Sequence, residues 1–172
     1  HPENQLTTIY RDLLGKPTQL IRSGNGLSVT RSYTYDDGQR LCVSVEPETA
    51  ASVVDYDAAG NVSWTASGQP FNAGTSCPSA RTSSANKVLR SYDPRNRLST
   101  LVFPDGRGNQ TWSYRADGLP AQITTNNASG GDQVVNSYTY NNRGMLIGEG
   151  MSQPGSTAWP LGYSYDANGS LA

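Results

Sequence analysis

Histidine is almost absent from this chain: the single one is His1, at the extreme terminus. That removes an internal Ser-His-Asp or Cys-His arrangement and any histidine-based metal cluster. Charge of one sign is missing too. Thirteen Lys and Arg against fourteen Asp and Glu leave a formal net charge of -1, and no basic run forms a stripe. Nucleic acid is therefore not an expected partner. No apolar run approaches the length of a membrane span, and no signal peptide is visible. Leu, Ile, Val and Phe together make up only about 17% of the residues, a level that implies disorder when net charge is large. Here charge is near zero, and ten tyrosines and three tryptophans supply an amphipathic, aromatic core instead.

What is present is a repeat. Tyr-Asp-x-x-Gly-x-Leu/Val stands plainly at Tyr56-Asp57-Ala58-Ala59-Gly60-Asn61-Val62 and at Tyr165-Asp166-Ala167-Asn168-Gly169-Ser170-Leu171. Degenerate copies begin at Tyr10, Tyr35, Tyr92, Tyr114 and Tyr140, at intervals of 21 to 26 residues with one exception of 36. A period in the twenties marks a repeat architecture, in which each unit must stack on its neighbours to bury its apolar face.

Each copy reads as a β-hairpin. The fourth residue after the tyrosine is Gly60, Asn96, Gly118, Gly144 or Gly169 in five copies, residue types that tolerate positive φ. Asp57, Asp93 and Asp166 open the turns and can accept hydrogen bonds from amides further round the loop. Six residues after the tyrosine comes Leu41, Val62, Leu98, Leu146 or Leu171, while Leu119 arrives one early. An aromatic, a tight polar turn and an aliphatic residue describe a hairpin with a three- to five-residue loop. The repeat core is then Tyr35/Leu41, Tyr56/Val62, Tyr92/Leu98, Tyr114, Tyr140/Leu146 and Tyr165/Leu171. Two copies depart: Tyr35 has Gly38 three residues on, and Tyr10 has Gly15 five residues on. Flanking residues alternate as strands do: Leu41, Val43 and Val45 read as a one-sided row, as do Leu119, Ala121 and Ile123. Pro47 to Val53 has room for one helical turn. The expected fold class is all-β, antiparallel hairpin repeats in a single array over residues 1–172, with a Gly/Ser/Pro/Ala-rich insertion at 67–86.

Cys42 and Cys77 stand 35 positions apart, the second inside that insertion. A disulfide pinning the loop to the strand that carries Cys42 is worth roughly 3–4 kcal/mol by loop entropy. The alternative is a pair of free thiols in a reducing compartment, with no C-x-x-C for metal or redox work. Asp55-Tyr56-Asp57-Ala58-Ala59-Gly60 begins like a calcium loop, but Ala59 stands at the third ligand position and no Glu closes it. No cofactor or metal is expected, and no catalysis. Trp64, Trp112 and Trp159 have two readings: filling between strands, or a carbohydrate-binding platform of aromatic faces.

Tyr56 to Val62, Tyr165 to Leu171 and the Pro104-Asp105-Gly106 turn resemble the YD repeats of Rhs (rearrangement hotspot) proteins, which also occur in insecticidal toxin complexes and in teneurins. The resemblance covers all but the insertion. It implies a β-sheet strip that spirals into a hollow shell, which in bacterial members encloses a toxic C-terminal domain. The family's self-cleaving core places an aspartate before Pro-x-Gly-Leu; Asp93-Pro94-Arg95-Asn96 lacks that Gly-Leu, so Asp93 reads as a turn residue. The resemblance thus implies a non-catalytic segment of the wall, secreted or on a bacterial cell surface. Its partners are neighbouring YD repeats of a longer parent chain or other copies of itself, and an enclosed toxin domain. The alternative is a cell-surface adhesion module that binds glycans.

Overall fold

The computed structural model describes residues 5–74, 76–77, 86–127, 132–156 and 158–172. Nine residues of the expected insertion (75 and 78–85) and His1 lie outside them. All thirteen strands are antiparallel, and no α-helix occurs among the described residues. They fall into two compact units.

The first unit, residues 1–87, holds β1 (Leu6–Arg11), β2 (Pro17–Gly24), β3 (Leu27–Tyr35), β4 (Leu41–Glu46), β5 (Ala50–Tyr56) and β6 (Val62–Gln69). The second, residues 88–172, holds β7 (Val88–Tyr92), β8 (Leu98–Val102), β9 (Asn109–Tyr114), β10 (Pro120–Asn126), β11 (Gln133–Tyr140), β12 (Leu146–Ser152) and β13 (Trp159–Gly162). Inside each unit, every strand pairs with the one before and the one after it in sequence. A meander of this kind puts alternate connections at opposite ends of the strands. The YD loops therefore share one end within each unit, and connections of variable length occupy the other.

One register governs every YD hairpin. The residue at the tyrosine position pairs with the sixth residue on in all seven, and in the first six the residue before it pairs with the eighth. Tyr56 faces Val62, for example, while Asp55 faces Trp64, which leaves Ser63 as a β-bulge. This is the hairpin loop in which a type I turn is followed by a left-handed residue and a bulge. The first repeat obeys the same rule only when centred on Arg11, which pairs with Pro17, so Arg11 rather than Tyr10 holds the key position there. In the second repeat the left-handed residue is Gln39 (φ 63) and not Gly38, because the loop geometry fixes the position whatever residue fills it.

The bulge also breaks the expected row of Leu41, Val43 and Val45. Leu41 pairs with Tyr35 and Val43 with Thr34, which are consecutive residues and point to opposite faces. Cys42 is the bulged residue between them. The stretch from Pro47 is a reverse turn leading into β5, with Ala50 at φ 62, and not a helical turn. Pairing between β4 and β5 from Glu46↔Ala50 onward leaves too few residues for one.

Complete burial is confined to one place among the described residues. Cys42, Val43, Ala51, Val53, Trp64 and Ala66 are buried, with Ser32 and Gln69 beside them. Phe71, on the chain leaving β6, packs on both clusters of this core, and Cys77 packs beside it. Cross-strand pairs Val43↔Val53 and Val53↔Ala66 put these side chains on one face. The residues expected as the repeat core are instead half-buried, and Leu171 is 67% exposed. A sheet face needs a second layer to bury it fully, and among the described residues Phe71 and Cys77 supply one here.

Candidate functional site

The recurring geometry of this chain is the joint between one hairpin and the next. It begins with the loop. In all seven copies the amide after the tyrosine position donates to the carbonyl four residues on, as Asp57 N does to Asn61 O at 2.8 Å. The left-handed residue's amide donates to the carbonyl of the residue after the tyrosine position, as Gly60 N does to Asp57 O at 3.0 Å. The aspartate side chain completes the loop. Asp93 Oδ1 accepts from the amides of Arg95 (2.9 Å) and Arg97 (3.0 Å), and Asp166 Oδ1 from those of Asn168 (2.9 Å) and Ser170 (2.8 Å). Asn141 does the same where the motif has lost its acid.

In three of the loops such bonds favour the ionised carboxylate. Asp36 sits below the usual carboxylate range chiefly through the Arg40 amide, Asp57 through the Asn61 side chain, and Asp93 through the Arg97 guanidinium. Asp36 and Asp93 also form ion pairs with Arg40 (2.8 Å) and Arg97 (2.6 Å), four residues on.

The tyrosine reaches backward to the preceding hairpin. Tyr35 Oη donates to the Pro17 carbonyl at 3.0 Å, Tyr56 to Leu41 at 2.9 Å, Tyr114 to Leu98 at 2.8 Å and Tyr165 to Leu146 at 2.8 Å. In each case the acceptor stands at the sixth position of the previous copy. A phenylalanine would fill the same space without this bond, which is the physical reason the motif specifies tyrosine. Burial raises the hydroxyl pKa of Tyr35, Tyr114 and Tyr140, so the donor stays protonated well beyond neutral pH.

The preceding hairpin reaches forward in turn. Lys16 lies 5.0 Å from the Tyr35 ring centroid, Arg40 4.4 Å from Tyr56, Arg97 4.2 Å from Tyr114, and Arg115 5.4 Å from Tyr140. Loop tips are linked as well: Arg95 Nη1 donates to Ala116 O and Arg143 Nη1 to Ala167 O, both at 3.1 Å, and Lys16 Nζ bonds the Gln39 carbonyl. One arginine can thus neutralise its own loop aspartate and cover the next tyrosine. Sequence reasoning missed these cations. Their signal is a basic residue at the fifth position after the tyrosine position, directly at Arg40 and Arg97 and at Lys16 once the first copy is centred on Arg11.

The tryptophans do not share one environment. Trp64 is 6% exposed, its Nε1 donates to Asp55 Oδ2 at 2.8 Å, and Lys87 Nζ lies 3.9 Å from its ring. Trp112 is half-buried and donates to Gln110 Oε1 at 3.2 Å, while Trp159 is 72% exposed. Three different environments give no common sugar-stacking platform; the structure brings Trp64 into the core instead. Cys42 and Cys77 are joined by a disulfide with Cα atoms 5.5 Å apart. Among the described residues no group of three or more His, Cys, Asp or Glu is placed to hold a metal ion, and no helix is long and apolar enough to cross a membrane.

No protein-family model and no curated protein matches the sequence. Solved structures do match in fold. The chain is similar to part of the crystal structure of TcdB2-TccC3, at 13% identity and a TM-score of 0.56. It is also similar to part of the Photorhabdus luminescens Tc holotoxin pore, at 14% identity and a TM-score of 0.54. In both, 97% of this chain aligns but only 10% of the other, so the chain spans about a tenth of the length of the proteins it matches. The YD motifs and the fold point the same way: this chain has the antiparallel hairpin-repeat fold of the Tc toxin complexes.

Proposed function

We propose that this chain is a non-catalytic wall segment of an Rhs-type YD-repeat shell, whose parent encloses a toxin or effector domain and acts outside the cell that makes it. The observation that carries the reading is the joint. Tyr35, Tyr56 and Tyr114 each spend the hydroxyl on the previous hairpin and the ring on a cation from it, while Tyr165 shows the hydroxyl bond and Tyr140 the cation, so the motif's chemistry goes into holding repeats together. The likeness to toxin-complex structures supports the same reading. The adhesion alternative loses its support with the sugar-stacking platform.

A wall is continuous, so its partners are further strands of the same kind. Among the described residues β1 pairs only with β2, and β13 only with β12. Their outer edges carry amides and carbonyls able to template another strand. Leu6 on β1 and Leu161 on β13 are 62% and 55% exposed, consistent with strands built to be covered. Light scattering of the isolated chain across a concentration series tests this. Mass should rise with concentration and fall back when Leu161→Lys places a charge on the β13 edge. A strict monomer at every concentration would overturn the reading of these strands as wall joints.

A further inference from the structure

The disulfide has two unequal ends. Cys42, the bulged residue of β4, is 3% exposed and packed with Val43 and Ala51. Cys77 is half-buried and belongs to the segment that lies over this face, next to the exposed Ser76. Attack on a disulfide sulfur requires an approach path, so the two sulfurs differ in reactivity whatever their chemistry. Cys42 Sγ also lies 3.3 Å from the Thr34 carbonyl oxygen, an acceptor for the thiol formed when the bond is cut. The buried sulfur is therefore equipped to leave without departing from its place in β4.

We propose that Cys77 is a thiol-exchange site at which a low-molecular-weight thiol opens the cover over the β4–β6 face. The attacking thiolate forms a mixed disulfide with Cys77 Sγ, and the sulfur–sulfur bond breaks with its electron pair going to Cys42. Cys42 takes up a proton and donates it toward Thr34 O. A second thiol displaces Cys77 from the mixed disulfide. Two thiols are thereby oxidised to one disulfide, the Cys42–Cys77 bond is reduced to two thiols, and the two protons of the reductant end on the two cysteines.

The effect of cutting the bond is local. The bond closes a span of 35 residues, and the segment it fixes carries Phe71, which covers Val53, Trp64 and Ala66. Cutting the tether returns that span's closure entropy to the open state, so the cover opens far more often in a reducing compartment than outside it. The inference stands whether or not the chain is part of a shell, since it rests on the burial of two sulfurs and one phenyl ring.

The test uses the intact chain and reduced glutathione. Samples are quenched in time with an alkylating reagent, and peptides are mapped by mass spectrometry beside amide hydrogen exchange. The first adduct should be glutathione on Cys77 with the alkyl group on Cys42. Exchange in β4–β6 should accelerate by up to about 500-fold as the tether is lost, with β9 and β10 unchanged. Glutathione appearing first on Cys42 would overturn the assignment. So would complete reduction with no acceleration in β4–β6, or no reaction until the chain is denatured. The measurement needs no substitution; Cys77→Ser adds a chain that cannot form the tether and should show the faster exchange without reductant.

Discussion

Tyr56→Phe isolates the joint between hairpins with the smallest possible change. It removes one oxygen, leaving the ring in place beneath the Arg40 guanidinium at 4.4 Å and the Tyr56↔Val62 pair intact. What is lost is the 2.9 Å bond to the Leu41 carbonyl. A neutral hydrogen bond between half-buried partners is worth about 1 kcal/mol net. Tyr56→Leu loses the bond and the cation–π contact as well, a further 0.5–1 kcal/mol or so, for about 2 kcal/mol in all. In a unit of 87 residues each kcal/mol lowers the melting temperature by about 4–8 °C. Urea unfolding read by fluorescence measures this cleanly in a Trp112→Phe/Trp159→Phe background, where Trp64 is the only remaining tryptophan. Tyr33→Phe is the control, because the Tyr33 hydroxyl makes no hydrogen bond among the described residues. If Tyr56→Phe stays within a few tenths of a kcal/mol of the parent, or Tyr33→Phe costs as much, the hydroxyl is not a joint and the account of why the motif specifies tyrosine fails.

Gly144 adopts φ 74 at a position where an added Cβ meets only Leu119 Cδ1 at an ordinary 3.6 Å. Gly144→Val should therefore destabilise by at least about 1 kcal/mol through backbone strain alone, seen as a lower urea midpoint, whereas Asn96→Gly at φ 58 should be neutral or mildly stabilising. The folded-state pKa values of Asp36, Asp57 and Asp93 lie below those of the unfolded chain. Their contribution is thus complete above about pH 4 and is lost as pH falls through the folded values; Asp93→Asn should flatten the acid limb of a stability–pH curve. Tyr163 behaves oppositely. Its hydroxyl donates to Glu149 at 2.8 Å, which raises its pKa, so its contribution is present below about pH 10 and lost as pH rises through the folded value. Ultraviolet titration of the phenolates should show several tyrosines ionising late, and one of them moving back toward the ordinary range in Glu149→Gln.

The strands and loops were legible because their signals are local. A left-handed position, an aspartate and a flanking aromatic and aliphatic residue lie within seven residues, and each has one preferred geometry. The bulge was not legible. It leaves no residue type behind, since Thr18, Cys42, Ser63, Ser99, Ala121 and Ile147 all occupy it. Without it, alternation misassigns the face of every residue beyond the turn, as it did for Val43. The true core was hidden for a different reason. Val43, Val53 and Trp64 look no more apolar than the half-buried Leu98 or Leu146, and only a segment arriving from elsewhere in the chain makes the difference. Of the cations at the joints, Lys16 was hidden by a misaligned first copy, and Arg40 and Arg97 by recurring in only two of the other copies.

Because each strand pairs only with its sequence neighbours, hairpin closure brings together residues a handful of positions apart. The entropy of closing such short loops is small and is repaid at once by the ladder formed. Low contact order of this kind favours rapid folding, and in an array of similar units growth can begin at any hairpin and zip outward from it. The chain therefore has no obligatory first step, and a defect in one hairpin delays its neighbours without blocking distant ones. The bond from Cys42 to Cys77 is the exception to this locality. It is the slow event in an otherwise fast sequence, and a chain emerging in oxidising surroundings will have completed its strands before that bond closes over them.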